Sequence, residues 1–597
     1  MTTHPQQNPP TLIGHIESVN GGVLSIKLLP QIDSLILIEG NSFRIGQIGS
    51  FVRIPLGYTQ LYAVCTVVGA AASPQQDNGS NNSNHKWMSA TLFGEALGGR
   101  FERGITQYPT IENEVHVVTP KDMRIIYAST ASDRSITVGH IAASSGVPGN
   151  LDVARLVARH TVVVGSTGSG KSNCVSVLLD QIGASRFLSS RVVVIDPHGE
   201  YSSAVGHNGY VFRIEQRQVT TPQSLFVPFW ALPFDELKSI LFGALPPNAE
   251  AVIRDEIVER KRRSMAQLDP SCPPQIVHAD SPVPFSLKQL WFDLDSFERQ
   301  TFNKAQGQDP LPHTKPGDPE KLEPREYPPA ALGSAAPFKN PAPRNISRQL
   351  ELLKSRLLDV RFDFTLNPGS DFTPDLQGKT GKDLSDLVSS WVGHDKAISV
   401  LDVSGLPAEV LSMVVGTMLR LIYDTLFWAF DLPVSGRNQP LFIVLEEAHL
   451  FLPDGQESSA HRTVSRIAKE GRKYGVGLCV VSQRPSEIDS TVLSQCGTMI
   501  ALRLSNAADR SKIQAAMPDD LGALANLLPA LRTGEGLALG EAMPIPSRIQ
   551  FFHAANRPKS DDPKLPEAWK EKRPDPAEYK QALKNWRYQR DMKKGTP

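Results

Sequence analysis

Short apolar runs separated by turn residues dominate the first 125 residues. The runs GGVLSIKLL, DSLILIEG, IGSFVRIPL and TQLYAVCTVVG are rich in valine, isoleucine and leucine, and glycine or proline lies between them. Several short strands at such close spacing are typical of a small barrel. The pattern predicts a β-barrel over residues 11–125, with the polar, turn-rich stretch 73–86 as a mobile loop tip.

The pattern changes from residue 150. HTVVVGSTGSGKSNCVSVLLDQI predicts a strand, a loop and a helix, and RVVVIDPHGEY predicts a second buried strand. Further β-branched runs end in polar turns in KAISVLDVSG, PLFIVLEEAHLFL, VGLCVVSQRP and GTMIALRLS. Strands that alternate with helices predict an α/β fold with a parallel sheet covered on both faces, formed by residues 136–231 and 391–556.

Residues 232–390 interrupt this alternation. Helical patterns occur in NAEAVIRDEIVERKRRSMAQL and ISRQLELLKSRLLDV, and Ser286 with Gln289 forms a plausible capping box before LWFDLDSF. Ten prolines among the 45 residues 301–345 argue against regular structure there. We expect a helical insertion with a proline-rich arm, and a tail over 557–597 that ends in a basic helix.

Charge restricts how the chain can meet a polyanion. Its 597 residues include 62 Lys and Arg against 62 Asp and Glu, so the net charge is zero. This excludes adhesion to nucleic acid or anionic lipid by bulk charge, and any such contact must come from a local patch. One candidate patch is the stretch 570–597, where nine basic residues against four acidic ones give +5.

Cysteine usage favours a reducing cytosol. The five cysteines are odd in number and contain no CxxC pair, which argues against a disulfide framework or a zinc ribbon. The N-terminal MTTHPQQNPP lacks the order of a signal peptide, and no uninterrupted apolar run reaches transmembrane length. We therefore expect a cytoplasmic protein without a membrane contact.

A phosphate-binding loop motif follows the first strand of the α/β region. GSTGSGKS matches G-x-x-x-x-G-K-[ST] without a departure, and the flanking VVV and helix-compatible run supply the required context. The alternative is a flexible Gly/Ser turn. The motif predicts ATP and Mg²⁺ binding, with Lys171 on the β- and γ-phosphates and Ser172 on the metal. The candidate nucleotide contacts are Gly165, Ser166, Thr167, Gly168, Ser169, Gly170, Lys171, Ser172 and Asn173.

A second buried strand, LFIVLEE, ends in Glu446 and Glu447. Paired carboxylates at this position suit a Walker B motif, in which the first holds Mg²⁺ through water and the second polarises the attacking water. Glu446 stands where aspartate is commoner, but its longer side chain still reaches a hydrated metal. The alternatives are a strand end with solvated acids, or a DEAH-type box, which little else in the chain supports.

Two further strand ends carry polar residues. Gln483 in VVSQRP is placed to sense the γ-phosphate, although an ordinary turn explains it too. Asp196 in VIDPHGEY ends the strand after the P-loop helix, where Asp-Pro-His-Gly also has good turn chemistry.

Two arginines have no evident structural reason. Arg472 in AKEGRKYGVG is the candidate for an arginine that stabilises transition-state charge in a neighbouring subunit's site, against the alternative of a solvated helix end. Arg159 precedes the P-loop strand and could contact nucleotide from either side of such an interface.

Taken together, the motifs resemble the HerA family of the HerA/FtsK branch of P-loop translocases. The resemblance rests on IGHIESVNGGV, ITVGHIA, RHTVVVGSTGSGKSN, VIDPHGEY, IVLEEAH, IAKEGRKYGVGLCVVSQRPSEID and LRTGEGLALGEAMPIPSRI, in that order. It implies a HAS-type barrel over 11–125 and a RecA-like core over 136–555 with a helical insertion.

The resemblance also implies a homohexameric ring that threads duplex DNA through its pore at the expense of ATP. By position, the site within one chain would contain Lys171, Ser172, Asp196, Glu447 and Gln483, while Arg472 would come from the neighbour. Glu446, the proline-rich arm and the basic tail depart from the family pattern, and FtsK carries membrane spans that this chain lacks.

The resemblance to this family implies one of two roles. One is DNA-end processing with the NurA nuclease, and the other is bacterial antiphage defence with a nuclease or a sirtuin-like NAD-consuming effector. The chain shows no nuclease constellation outside the ATP site, so a partner would do any cutting. The proline-rich arm favours the defence role, and the barrel is the expected docking face.

Three function classes remain open on the residues. The first is a DNA-translocating motor, the second a nucleotide-gated scaffold that assembles and regulates an effector, and the third a conjugation-type secretion ATPase. For a motor, the expected DNA contacts are Arg462 and Arg466, one helical turn apart after the Walker B loop. The rival sites are the basic run Arg260–Arg263 and the basic tail.

Overall fold

The fold is known from a computed structural model. It divides into two compact units, the first formed by residues 1–210, 396–400 and 425–561 and the second by 211–395, 401–424 and 562–597. The predicted loop tip 73–86 lies outside the described residues except for its last position. The residues that the structure describes are 9–32, 35–38, 41–69, 86–128, 133–142, 144–184, 186–214, 223–333, 335–517, 519–558, 565–571, 573 and 575–588.

The N-terminal region is a closed β-barrel, as its sequence pattern predicts. Antiparallel pairing in the order β2-β1-β9-β5-β6-β7 is closed by a β2–β7 pair, and β8 extends β7. Inward-facing residues such as Ile16, Leu24 and Val115 fill its interior. The strands are β1 (Leu12–Asn20), β2 (Val23–Leu28), β3 (Leu35–Ile38), β4 (Asn41–Arg44), β5 (Phe51–Leu56), β6 (Thr59–Gly69), β7 (Trp87–Leu97), β8 (Arg100–Arg103) and β9 (Glu114–Val117).

The first part of the α/β region alternates strands and helices. Its elements are α1 (Pro120–Ala128), β10 (Ser135–Ile141), β11 (Ser144–Asp152), α2 (Val153–Ala158), β12 (Thr161–Val164), α3 (Lys171–Ile182) and β13 (Arg191–Asp196).

Strands β14 (Gly209–Arg213) and β15 (Gln223–Ser224) come next, and the helical insertion follows them. The elements of the insertion are α4 (Phe234–Leu241), α5 (Pro247–Leu268), α6 (Leu287–Arg299), β16 (Thr301–Phe302), β17 (Phe338–Lys339), α7 (Ser347–Leu357), α8 (Asp363–Leu366) and α9 (Leu384–Val392). Ser286 Oγ accepts a hydrogen bond from the Gln289 backbone amide and caps α6 as predicted. The reciprocal half of the predicted capping box is not formed, because the Gln289 side chain donates to Asp293 at 2.8 Å.

The proline-rich arm has almost no regular structure in its described residues, as its composition predicts. It packs on α6, where the Tyr327 hydroxyl lies 2.7 Å from Ser296 Oγ and the Lys288 ammonium lies 2.8 Å from Glu320. These contacts hold the arm despite its lack of regular hydrogen bonding.

The chain then completes the α/β region. Its elements are β18 (Ile398–Asp402), α10 (Ala408–Trp428), β19 (Leu441–Leu445), α11 (Ser459–Glu470), β20 (Val476–Ser482), α12 (Ser490–Gln495), β21 (Thr498–Leu502), α13 (Ala507–Ala516), β22 (Glu535–Gly540) and β23 (Ser547–Phe551), followed in the tail by α14 (Leu565–Ala568) and α15 (Ala577–Tyr588).

The central sheet of the first unit runs in the order β11-β10-β23-β22-β21-β12-β20-β19-β13. The pairs from β21 to β13 are parallel, which agrees with the sequence prediction. The other edge, β22, β23, β10 and β11, is antiparallel, which the prediction of a parallel sheet did not include. A short connection between β22 and β23 permits only an antiparallel pair, because a parallel one needs a long crossover.

One described helix, α10, is long and apolar enough to span a membrane by length and composition, although the sequence pattern predicted no such segment. Of its most apolar window, 61% is buried inside the protein. The Arg420 guanidinium on this helix donates a hydrogen bond to the Ala231 carbonyl. A core helix meets the same length criterion, so α10 carries no membrane assignment.

Candidate active site

The predicted motif residues meet at the carboxyl ends of four neighbouring parallel strands. The P-loop follows β12, Gln483 follows β20, Glu446 and Glu447 follow β19, and Asp196 ends β13. Because parallel strands direct their carboxyl ends to one edge of the sheet, residues that are distant along the chain become neighbours there.

The P-loop backbone adopts conformations that require glycine. Gly168 has φ 73° and Gly170 has φ 97°, both in the left-handed region. A Cβ on Gly170 would lie 2.9 Å from the Gly534 nitrogen, so the turn before β22 packs tightly against the P-loop. Gly170 also starts α3, whose N-terminal amides are suited to bind phosphate.

The P-loop side chains fall into distinct roles. Thr167 Oγ1 donates to Gln483 Oε1 at 2.6 Å, and Ser172 Oγ donates to Glu200 at 3.2 Å. Ser169 Oγ is buried without a hydrogen-bond partner among the described residues. Asn173, predicted to contact nucleotide, instead uses its side-chain amide to bind the backbone of residues 552 and 554.

Lys171 lies between the two Walker B acids. Its ammonium donates to Glu446 and, at 3.1 Å, to Glu447 Oε1, and all three side chains are buried. Burial alone would lower the pKa of Lys171, but the two carboxylates raise it above its ordinary value. The lysine therefore stays charged and offsets both acids.

Glu447 is held in a strained conformation by several contacts. Its backbone is left-handed at φ 47° and ψ 49°, which costs on the order of 1–3 kcal/mol for a residue with a side chain. Gln483 Nε2 donates to Glu447 Oε1 at 2.6 Å, and His449 Nδ1 lies 3.2 Å from Oε2. Burial would raise the pKa of Glu447, but His449 and Lys171 outweigh it and lower the pKa to about 2. The carboxylate is ionised at neutral pH.

Glu446 occupies a drier environment. Burial raises its pKa, against the opposing charge of Lys171. Its second oxygen accepts a hydrogen bond from the Tyr201 hydroxyl at 3.1 Å, and Tyr201 is itself completely buried. The tyrosine thereby fixes the orientation of the carboxylate.

Asp196 organises the turn after β13. Its carboxylate accepts hydrogen bonds from the backbone amides of His198, Gly199 and Tyr201 at 3.2, 2.8 and 2.8 Å. These bonds place Glu200 beside Ser172 and Tyr201 beside Glu446. Asp196 is therefore part of the site through the turn that it holds.

Sequence reasoning missed four groups that the structure brings to the site: Glu200, Tyr201, His449 and Arg503. Three of them lie within five residues of a predicted motif residue: Glu200 and Tyr201 belong to VIDPHGEY, and His449 belongs to EEAH. These two motifs could therefore have indicated them. Arg503 follows β21, and its Nη2 donates to the Gly168 carbonyl at 3.2 Å while its own carbonyl accepts from Ser166. No local motif marks it.

Arg159 and Arg472 lie near the amino ends of β12 and β20, whereas the P-loop lies at the carboxyl ends of the strands. Arg159 lies two residues before β12 and forms an ion pair with Glu541 at 3.4 Å. Arg472 lies in the 3₁₀ turn Gly471–Tyr474 before β20, and its side chain is exposed. A strand of seven residues spans roughly 20 Å, so Arg472 does not reach its own chain's P-loop.

Two of the three candidate DNA-contact regions differ in availability. Arg462 and Arg466 are both exposed on α11, and the Arg466 guanidinium also lies 5.0 Å from the centre of the Phe427 ring. The run Arg260–Arg263 is engaged within its own unit, where its partners are the carboxylates of Glu256, Asp293 and Glu259 and the carbonyls of Pro274, Ala279 and Ser281.

The residues at this site fit a nucleoside triphosphate with Mg²⁺. The glycine-shaped loop, the α3 amides and Lys171 suit phosphates, and the oxygens of Ser172 and Glu446 suit a hard cation. Within the described residues, no cluster of three or more His, Cys, Asp or Glu forms a metal site of its own. A Mg²⁺ bound here would be held by Ser172 and Glu446 together with phosphate oxygens of the nucleotide.

This arrangement on a parallel sheet is that of a P-loop ATPase. The family model for the central domain of the helicase HerA matches residues 136–422, and the model for the HerA-like C-terminal domain matches 375–543. The chain belongs to the HerA family.

Two relatives named as HerA agree with this assignment. The DNA double-strand break repair helicase HerA of Pyrococcus furiosus is 24% identical over 79% of this chain and 82% of its own length. A probable HerA of Methanocaldococcus jannaschii is 27% identical over 70% and 76% of the two chains. The solved structure of VirB4 of Thermoanaerobacter pseudethanolicus covers 71% of this chain and 98% of its own, with 16% identity and a TM-score of 0.45.

Proposed function

We propose that this protein is an ATP-driven DNA translocase that works as a homohexameric ring. The observation that carries the proposal is the hydrolysis site, in which Glu447 contacts both Lys171 and Gln483. The similarity to proteins named as DNA double-strand break repair helicases supports DNA as the polymer that is moved.

The roles within one chain follow from the contacts. Lys171 and the P-loop amides bind phosphates, and Ser172 with Glu446 would hold Mg²⁺, which supplies charge neutralisation when bound. Glu447 accepts a proton from the attacking water, and Gln483, bonded to both Glu447 and Thr167, links the acid to the P-loop. Tyr201 and His449 keep the two acids in place.

The ring completes the site from a second copy. Arg472 lies at the far edge of the sheet from its own P-loop, and in a ring it would meet the nucleotide of the adjoining copy. Arg159 lies at that same edge and can approach the same interface. Duplex DNA would pass through the pore, where Arg462 on α11 binds backbone phosphates without reading bases.

The N-terminal barrel is the proposed docking face for an effector in the cytoplasm, a nuclease or a sirtuin-like NAD-consuming protein of an antiphage defence system. Tyr58 and Leu97 lie at the tips of adjoining hairpins and are 95% and 61% exposed. Exposed apolar side chains grouped in this way suit a protein contact. Loss of co-purification with the neighbouring-gene product in a Tyr58→Ser, Leu97→Ser variant would support this assignment, and retained binding would move the interface elsewhere.

The motor is tested by following ATP hydrolysis and the displacement of a third strand from a duplex. We expect duplex DNA to stimulate hydrolysis, and strand displacement to require ATP and Glu447. Stimulated hydrolysis without displacement would contradict translocation. A rate of ATP hydrolysis that is unchanged by DNA but changed by the effector would instead favour the nucleotide-gated scaffold.

A further inference from the structure

A cavity of about 720 Å³ opens at the amino ends of β12, β19 and β20, at the edge of the sheet opposite the P-loop. Its lining combines apolar, aromatic and cationic side chains. The side chains that matter are Val157, Phe430, Arg437, Arg472, Lys473 and Tyr474.

Two loops that touch through glycines build this cavity. A Cβ on Gly436 would lie 2.0 Å from the Tyr474 carbonyl oxygen, and one on Gly475 would lie 1.8 Å from the Gly436 carbonyl oxygen. Gly475 is also left-handed, at φ 67°. Only glycine permits this approach, so the contact sets Arg437 on one loop beside Arg472 on the other.

The cavity concentrates positive charge without compensation. Arg437, Arg472 and Lys473 all line it, and among the described residues no carboxylate forms an ion pair with any of the three. The Arg437 guanidinium lies 4.5 Å from the centre of the Phe430 ring, which fixes its plane. Three cations at one cavity favour a multiply charged anion as the ligand.

Exposed apolar side chains flank the lining residues Phe430 and Gly436 along the chain. Trp428, Leu432 and Val434 are 81%, 54% and 55% exposed. Exposed apolar side chains around a charged cavity are typical of a surface that closes against another protein. The ligand is therefore expected to arrive bound to a protein.

We infer that the cavity receives the phosphates of a nucleotide held by an adjoining copy of this chain, and that Arg437 contacts those phosphates together with Arg472. This inference rests on the proposed ring, because the chain's own P-loop lies at the other edge of the sheet. Neither arginine forms or breaks a covalent bond, and neither transfers a proton. Both stabilise charge, and the Phe430 ring lowers the entropy that Arg437 loses on binding.

The test compares full-length Arg437→Ala, Arg472→Ala and Arg254→Ala. Arg254 is the matched control, since its guanidinium lies 4.2 Å over the Phe234 ring in the helical insertion. We expect Arg437→Ala to lower kcat about tenfold or more, while affinity for a non-hydrolysable ATP analogue changes less than about threefold. Arg254→Ala should match the wild type. Should the melting temperature of Arg437→Ala fall, Arg437→Gln, which retains the side-chain stem over Phe430, replaces it.

Mixing supplies a second readout that a structural role would not move. Arg437→Ala copies and Lys171→Ala copies should form some competent interfaces when combined, so the mixture should exceed the sum of its parts. Wild-type kcat in the Arg437 variants alongside an impaired Arg472→Ala would overturn this inference alone. Wild-type kcat in both would overturn the shared site of the proposed ring as well.

Discussion

The Lys171 ammonium lies 3.1 Å from Glu447 Oε1. The lysine that is expected to bind phosphate is therefore paired with the glutamate that is expected to activate water. Glu446 binds the same ammonium. Lys171 must leave both acids to reach a phosphate, and two buried carboxylates without it favour a divalent cation. Nucleotide and metal binding are thereby coupled through one side chain.

Glu447→Gln should bind ATP but hydrolyse it at least about a hundredfold more slowly, because glutamine keeps the shape and cannot accept the proton. Single-turnover hydrolysis and equilibrium nucleotide binding check this. Glu487→Gln, at an exposed ion pair with Arg484, is the matched control. Near wild-type turnover by Glu447→Gln would show that another group is the base.

Lys171→Ala should abolish nucleotide binding and also destabilise the protein by about 3 kcal/mol, because it leaves two buried carboxylates without their cation. Chemical denaturation measures the loss. The double variant Lys171→Ala, Glu447→Gln should recover part of the stability without recovering binding. An equal loss in both variants would mean that the ion pairs do not contribute.

Tyr201→Phe should raise the Mg²⁺ concentration needed for tight nucleotide binding by about five- to tenfold, since Glu446 loses a hydrogen bond of about 1 kcal/mol. Titration of a fluorescent nucleotide against Mg²⁺ reports this without hydrolysis. Binding measured without Mg²⁺ is the internal control and should stay constant. An unchanged Mg²⁺ dependence would assign Tyr201 a packing role only.

His160 should make folding stability fall in acid. Burial lowers its pKa to about 4 in the folded state, below the ordinary value of 6.5. The unfolded chain therefore binds the proton first, and stability is lost as pH falls from 6.5 towards 4, by up to roughly 3 kcal/mol. Asparagine tolerates the φ of 54° and can accept the Leu478 amide, so His160→Asn should remove this part of the pH dependence. Parallel denaturation curves at pH 4.5 and 7 for both proteins decide the matter.

Arg462→Ala should reduce DNA stimulation of hydrolysis and flatten its salt dependence by about one phosphate contact, while basal turnover is retained. Arg263→Ala is the control, because Arg263 binds Glu259 within α5. Adding Arg466→Ala tests the second predicted contact. Stimulation equal to the wild type in the double variant would place the DNA elsewhere.

The nucleotide site was predictable where its chemistry depends on spacing along the chain. The P-loop and the strand ending in Glu446 and Glu447 are local patterns, and both lie where the sequence places them. Arg503 was not predictable, because its contact with Gly168 depends on β21 pairing beside β12. Strand order is a property of the assembled sheet.

Basic runs show the same limit. The sequence gives Arg260–Arg263 four cations in a row, but a helix turns successive residues to different faces. Lys261 is completely buried, and its ammonium donates to the carbonyls of Ala279 and Ser281. Burial lowers its pKa to about 7. Local charge therefore did not reveal which cations face solvent.

Strand β20 begins four residues after Arg472 and ends just before Gln483. In the proposed ring these two residues serve different nucleotides, one in each of two successive interfaces. A β-strand paired on both sides is stiff, so a shift of one end moves the other by a similar distance. In such a ring, a movement at one ATP site would displace the arginine that completes the next site. Successive sites would therefore be mechanically coupled through β20.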